Sequence, residues 1–192
     1  YHDRMFKRSP LEESAQVPLL VRTPASLGTG ARPGRVSRAY FGLVDLMPTT
    51  LGLCGIQVPP CCDGENLAPL VLGLADDGPE ELLIQFERDG FFDRTNPAGF
   101  WRALLRDGWM YTVDREVGPK YLFNVTEDPY ERNNLVADPG HAAIRKELHD
   151  RLVAKTYGIG DDFFEKNKSA ASPHGNGPRA GVPPTQTLEQ GI

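Results

Sequence analysis

The dipeptide Asp107-Gly108 restricts the fold of this chain more than any other feature, because it divides the apolar stretch 101–114 into two halves. Asp-Gly is a preferred pair for a two-residue hairpin turn, in which both central residues take positive φ angles. Runs 82–87 and 120–125 are also typical of strands, and Val117-Gly118-Pro119 marks the turn before the last run. The pattern predicts an antiparallel meander rather than alternating strands and helices.

A helix is predicted from about residue 138 to 157, directly after these strands. Asp138 and Pro139 are suited to the N-cap and the first helical position. An apolar stripe follows at i, i+4 and i+8 on one helix face, and it consists of Ile144, Leu148 and Leu152. We expect this face to pack on the sheet.

The first half of the chain has weaker secondary-structure signals than the second half. The run 17–22 (VPLLVR) predicts a short buried strand, and the Gly/Pro/Arg-rich residues 25–35 predict a loop. A helix is expected to begin at Asp45 as its N-cap and to end at Gly55. Residues 66–73 form a short apolar segment that closes this half.

Two stretches lack the composition of a packed core. Residues 76–80 are acidic and contain Gly and Pro, and we expect a boundary between subdomains there. From about Lys166 onward the chain consists largely of Ser, Pro, Gly, Asn and Gln. This composition predicts a disordered or loosely packed tail.

Hydrophobicity and charge bear on the partners of the chain. The longest apolar stretch, 67–75, contains a Pro and a Gly and has nine residues, whereas a membrane-spanning helix needs about 20, so no membrane span is predicted. Residues 1–40 carry seven Lys and Arg against three acids, which fits either an anion site or a solvated loop. No nucleic-acid-binding motif accompanies them, so no nucleic-acid partner is predicted.

Three segments carry a resemblance in the same order along the chain. In residues 1–24, His2 is followed five residues later by Lys7, then by an acidic pair and a Val-Pro-Leu run. Residues 44–73 contain an Asp, a Pro-Thr pair, a Leu-rich helix and Gly-Ile before a short apolar close. Residues 121–135 (YLFNVTEDPYERNNL) combine a strand, an Asp-Pro-Tyr-Glu turn and Asn-Leu. Together they resemble the sulfatase family of the alkaline phosphatase superfamily, over roughly residues 1–164.

The resemblance implies an α/β fold, namely the C-terminal portion of an alkaline-phosphatase-like core plus a small subdomain with an antiparallel sheet and a packed helix. We assign residues 1–76 to the core, 77–164 to the subdomain and 165–192 to the tail. Because the chain begins with Tyr1 rather than Met, we expect it to be the C-terminal fragment of a longer enzyme. Its compartment and oligomeric state stay open.

The chemistry that the resemblance implies needs groups beyond this chain. Sulfatases use a formylglycine, made from the Cys or Ser of a C-x-P-x-R-type motif, and a divalent metal, usually calcium. None of the three cysteines, Cys54, Cys61 and Cys62, stands in such a motif. We therefore expect the formylglycine and the calcium ligands upstream of residue 1, no metal site within this chain, and no turnover by the chain alone.

Lys7 is the catalytic candidate, because it matches the family lysine that contacts the sulfate and the ester oxygen. A lysine ammonium group can stabilise charge that develops on a leaving oxygen. Without the resemblance, a lysine beside Arg8 is more often simply exposed. His2 occupies the second-His position of the family near the mouth of the pocket, and it is a candidate for substrate binding.

The long connection 87–101 is rich in Arg and aromatic residues, and connections of this length are often functional. In the family this subdomain borders the active-site cleft. Arg88, Phe91 and Arg94 are therefore candidates for binding the organic part of the substrate. The alternative is that Phe91, Phe92 and Phe100 pin the loop to the core.

These features imply a sulfuric ester hydrolase that acts on a small-molecule or carbohydrate sulfate ester. The nearest alternative is a phosphonate monoester hydrolase or phosphodiesterase of the same superfamily. An alternative of another class is a non-catalytic binding or assembly module, which would require the chain to fold alone with a complete core.

Overall fold

The computed structural model describes residues 9–27, 34–87 and 100–165. The site residues expected from the sequence all lie outside these ranges, and they are His2, Lys7, Arg88, Phe91 and Arg94. The described residues begin at Ser9, two positions after Lys7, and they include Glu87 and Phe100 at the two ends of segment 88–99. They show how these adjoining parts of the chain are anchored.

A four-stranded antiparallel sheet forms the largest unit of the described chain, with its strands in sequence order. The strands are β1 (Glu81–Phe86), β2 (Trp101–Arg106), β3 (Trp109–Asp114) and β4 (Gly118–Asn124). The helices are α1 (Glu12–Ala15), α2 (Leu46–Leu53), α3 (Ala68–Val71) and α4 (Ala142–Gly158), with 3-10 turns at Ala25–Leu27, Leu43–Asp45 and Pro139–His141. The predicted meander and its packed helix are confirmed.

The turn between β2 and β3 is the one that the Asp-Gly pair predicts. Asp107 has a φ of 49° and Gly108 a φ of 75°, so both central residues take the left-handed conformation that a tight hairpin requires. Arg106 and Trp109 consequently face each other at the end of the ladder.

Gly108→Ala is expected to lower the free energy of unfolding by about 2 kcal/mol, since a left-handed residue with a Cβ costs roughly 1–2 kcal/mol and here also meets a neighbour. A Cβ at Gly108 would lie 2.1 Å from Thr126 Oγ1, whereas one at Gly118, with a φ of 83°, would have nothing within 4 Å. Gly118→Ala is therefore the matched control, with strain but no clash. Urea unfolding of both variants measures the difference, and equal losses would contradict the role given to Thr126.

Helix α4 packs on one face of the sheet, as the apolar stripe predicts. Leu148 and Leu152 lie in one buried cluster with Leu104, Tyr111 and Leu122 from β2, β3 and β4. The Asp138 carboxylate accepts a hydrogen bond from the Gly140 N–H at 2.9 Å, and this bond, together with the contact to His141, lowers the pKa of Asp138. Asp138 is therefore a cap as predicted, but of the 3-10 turn Pro139–His141, and α4 itself begins at Ala142. The helix continues through Gly158, one residue beyond the predicted end.

The opposite face of the sheet carries a second apolar cluster. Trp101, Ala103, Met110 and Phe123 are buried there together with Leu11, which is only 2% exposed. Leu11 comes from the segment that precedes α1, about 90 residues earlier in the chain than β2. The sheet is therefore covered by a helix on one side and, in part, by the N-terminal segment on the other.

The predicted strand at 17–22 is absent from the structure. These residues have no regular secondary structure and belong to no ladder, and Leu20 is 93% exposed. A strand is stable only when its backbone groups find partners, and no described strand lies beside this run. The apolar pattern predicts a strand, but it does not reveal whether a second strand is available to pair with it.

The predicted helix near Asp45 is present, but Asp45 does not cap it in the expected way. Helix α2 begins after a 3-10 turn, and its N-cap residue makes no side-chain cap hydrogen bond. The Asp45 carboxylate instead accepts hydrogen bonds from the Gly42 N–H at 2.7 Å and the Glu65 N–H at 2.8 Å. Asp45 thus joins two loops that are 20 residues apart in sequence. The helix ends as predicted before Gly55, which has a φ of 69°.

Candidate functional site

The segment that follows Lys7 is anchored at two points against the sheet subdomain. Leu11 is inserted into the cluster on the sheet face, and its N–H donates to Ser9 Oγ at 3.3 Å. The Glu12 N–H donates to Glu131 Oε2 at 2.8 Å, across 119 positions of sequence. Residues 9–15 are therefore held by one apolar and one polar contact.

Glu131 provides the polar contact from the turn that follows β4. It belongs to the Asp-Pro-Tyr-Glu motif, and its N–H donates to the Asp128 carbonyl at 3.0 Å to close the turn. The pKa of its carboxyl group is raised to about 7, mainly by burial and also by the nearby acids Glu12, Glu13 and Asp128, whereas the hydrogen bond from the Glu12 N–H acts in the opposite direction. The sequence motif marks the turn, but it does not reveal that this glutamate is buried.

The base of the loop that connects β1 and β2 is held by a buried arginine. Arg102 Nε donates to Asp161 Oδ2 at 2.6 Å, and Nη2 donates to Glu87 Oε1 at 2.8 Å. Its guanidinium lies 4.6 Å from the centre of the Phe163 ring. The Asp161 carboxylate thus forms an ion pair with the buried Arg102.

A second arginine lies beside the same loop base. The guanidinium of Arg115 is 4.5 Å from the centre of the Phe100 ring and 4.9 Å from that of Phe163. Phe100 also packs against the α4 cluster, so this aromatic residue does fasten one end of the loop to the core. Arg88, Phe91 and Arg94 lie outside the described residues, and their binding role stays a prediction.

The described residues do not provide for a metal centre. Within residues 9–27, 34–87 and 100–165, no three His, Cys, Asp or Glu side chains are grouped so that they could hold a metal ion. No calcium chemistry can therefore be assigned to these side chains. In the same part of the chain, no helix combines the length and the apolar character needed to cross a membrane.

Comparison with known proteins gives several relatives of similar sequence. The chain is 29% identical to an ulvan-active sulfatase of Formosa agariphila over 84% of its length, and 36% identical to arylsulfatase K of Xenopus laevis over 70%. It is 30% identical to a multifunctional alkaline phosphatase superfamily protein of Trinickia caryophylli over 74%. The aligned parts cover only 30%, 25% and 29% of these relatives. No protein-family model matches the chain.

Solved structures show the same fold. A 2-O GAG sulfatase superposes with a TM-score of 0.56 and 27% identity, over 63% of this chain and 26% of that chain. A phosphonate monoester hydrolase of Silicibacter pomeroyi superposes with a TM-score of 0.58 and 24% identity, over 67% of this chain and 27% of that chain.

The described sheet, its packed helix and these superpositions define a fold of the alkaline phosphatase superfamily. Within that superfamily, the chain belongs to the sulfatase family. The resemblance on which the sequence expectations were based is thereby confirmed.

Proposed function

We propose that the complete protein containing this chain is a sulfuric ester hydrolase. The proposal is based on sequence similarity to named sulfatases, with 36% identity over 70% of the chain for arylsulfatase K of Xenopus laevis and 29% identity over 84% for the ulvan-active sulfatase. The chain spans about 30% or less of the length of these relatives. The activity therefore belongs to the complete protein, and this chain contributes one part of it.

The groups that the family uses for bond cleavage are proposed to lie outside this chain. A formylglycine would supply the nucleophile and a divalent cation such as calcium would bind the sulfate oxygens. Neither group fits the described residues, because Cys54, Cys61 and Cys62 stand in no C-x-P-x-R-type motif and no metal-binding cluster occurs among those residues. The contribution of this chain is then to position the substrate and to assist departure of the leaving oxygen.

Lys7 is proposed as the residue that contacts the sulfate, with His2 nearby at the mouth of the pocket. Two observations on flanking residues support this assignment. The segment after Lys7 is fixed by Leu11 and Glu131, and a catalytic ammonium group must be held in a defined position to stabilise developing charge.

Residues 1–76 are proposed to complete a larger core in the complete protein. Large apolar side chains are exposed along the described part of this region, whereas such side chains are most often buried in a completed core. They include Val17, Leu19, Leu20, Val21, Val36, Leu43, Val44, Ile56 and Leu74. This exposure supports an incomplete core rather than a module that folds alone.

The substrate is proposed to be a carbohydrate sulfate ester, because one relative is named for activity on ulvan. Arg88, Phe91 and Arg94 would contact the organic part. A phosphonate monoester or phosphodiester is the second candidate, since the fold is shared with a phosphonate monoester hydrolase and a relative is named as multifunctional.

A substrate panel tests the proposal. The purified complete protein is assayed with an aryl sulfate, a sulfated oligosaccharide, an aryl phosphonate monoester and an aryl phosphodiester. We expect kcat/KM for the sulfates to exceed that for the phosphorus esters by about 100-fold, which corresponds to roughly 2.7 kcal/mol of transition-state discrimination. Preference for the phosphonate would favour the second candidate, and hydrolysis of none would favour the binding module.

A further inference from the structure

Glu131 combines three features that are individually unfavourable. It has a φ of 50° although it is not a glycine, and it is only 4% exposed. Its Oε1 atom is buried and has no hydrogen-bond partner among the described residues. Strained backbone and unpaired buried polar atoms persist where the surrounding structure requires them, and they are concentrated at functional sites.

The group that Glu131 holds is the backbone of the segment beyond Lys7. Its Oε2 atom accepts the hydrogen bond from the Glu12 N–H, and Leu11 next to it is fixed in the sheet cluster. Lys7 precedes Glu12 by five residues. Five residues of fully extended chain measure about 17 Å, so Lys7 lies within that distance of Glu12. A shift of about 1 Å in a catalytic group can cost roughly 100-fold in rate.

We propose that Glu131 is a positioning residue, whose buried side chain holds residues 9–15 against the sheet. The role in catalysis rests on the proposed function of Lys7. The holding of residues 9–15 does not, and it can be measured without any enzyme assay.

The charges around Glu131 determine the direction of the pH dependence. Among the described residues, the titratable groups that act on Glu131 are Glu12 and Glu13 on the N-terminal segment and Asp128 in its own turn, and these three are acidic. Burial and these neighbours raise the pKa of Glu131 to about 7 from its ordinary value of 4.5. Above that pH the ionised carboxylate still accepts from the Glu12 N–H, but its burial and the repulsion from these acids outweigh that hydrogen bond. Opening of the segment, which returns the carboxylate to water, is then favoured.

The raised pKa of Glu131 also determines how the free energy of unfolding depends on pH. Between about pH 4.5 and 7 the unfolded chain releases the Glu131 proton while the folded chain keeps it, so stability falls as the pH rises through this range. Below this range the group is neutral in both states, and above it the loss is complete. Glu131→Gln removes this contribution because an amide does not titrate, and it keeps an acceptor oxygen for the Glu12 N–H.

Hydrogen exchange of residues 9–15 in the complete protein tests the proposal, with rates corrected for intrinsic pH dependence. For the unmodified protein we expect protection to fall about tenfold between pH 6 and pH 8, as the ionised fraction rises through a pKa of about 7. Glu131→Gln should keep the protection constant, and Glu131→Ala should lose it at both pH values. Glu127→Gln, an exposed glutamate in the same turn, is the matched control and should behave like the unmodified protein.

Steady-state kinetics of the Glu131 variants then distinguish a role in positioning the catalytic segment from a role in stability alone. With an aryl sulfate, Glu131→Ala should lower kcat about tenfold with KM changed less than threefold, and Glu131→Gln should restore kcat. Unchanged protection and pH dependence in both variants would overturn the proposal, as would altered protection with unchanged kcat in an active enzyme. If the exchange pattern holds but no ester is hydrolysed, the holding by Glu131 stands and the proposed function fails.

Discussion

Lys7→Ala is expected to lower kcat for a sulfate ester by about 100- to 1000-fold in the complete protein. This is the usual range for removal of one donor that stabilises charge in a transition state, and it corresponds to about 3–4 kcal/mol. KM should change much less, because the ammonium group acts on charge that develops only as the ester bond breaks.

A series of aryl sulfates with leaving groups of different pKa sharpens this test. If Lys7 acts on the ester oxygen, the rate loss must grow as the leaving phenol becomes more basic, because a poorer leaving group carries more charge that needs stabilisation. Arg8→Ala, which removes the neighbouring cation, is the control and should leave kcat within about twofold. Equal losses across the series would limit Lys7 to binding of the sulfate, and unchanged kinetics would contradict its assignment altogether.

The sheet subdomain could be predicted from sequence because its signals are local. Asp107 and Gly108 form the hairpin turn within two residues, and the Leu148 and Leu152 stripe needs only the helical period to be recognised. The Asp138 cap likewise involves a neighbour two positions away. Such features depend on short-range geometry, which the residue types themselves determine.

Features that depend on distant residues could not be predicted in the same way. Residues 17–22 have the composition of a strand, yet no described strand lies beside them. Glu131 occupies a turn motif that does not indicate burial, and its carboxylate contacts Glu12 across 119 positions of sequence. The ion pair of Asp161 could not be predicted either, because its partner Arg102 lies 59 positions away in sequence.

For the candidate site, the sequence and the structure contribute different residues. Lys7 and His2 were identified by family resemblance, and the family is confirmed, but both residues lie outside the described ranges. Their roles therefore stay predictions. The described structure contributes the anchoring contacts of the neighbouring segments at Leu11, Glu131 and Arg102, which no motif had indicated.

Asp45→Ala is expected to lower the free energy of unfolding by about 3–5 kcal/mol. The carboxylate of Asp45 is buried, with 6% of the residue exposed, and it accepts hydrogen bonds from the Gly42 and Glu65 N–H groups. Each hydrogen bond to a charged group contributes about 1.5–3 kcal/mol, and alanine would leave both donors without that acceptor. Urea unfolding of the complete protein, with the transition followed by tryptophan fluorescence and circular dichroism, measures the loss.

Asp45→Ser distinguishes the observed bridge from the helix cap that the sequence suggested. Serine is as good an N-cap as aspartate, but its single hydroxyl oxygen cannot replace two carboxylate oxygens that accept from loops 20 positions apart. We therefore expect serine at position 45 to cost nearly as much as alanine. Asp138 is the control, because its carboxylate caps the 3-10 turn that leads into α4 and its second oxygen contacts only the partly exposed His141. Asp138→Ser should cost less than about 1 kcal/mol, whereas Asp138→Ala should cost about 1–2 kcal/mol. Near-normal stability of Asp45→Ser would mean that capping, and not the bridge between loops, is what Asp45 contributes.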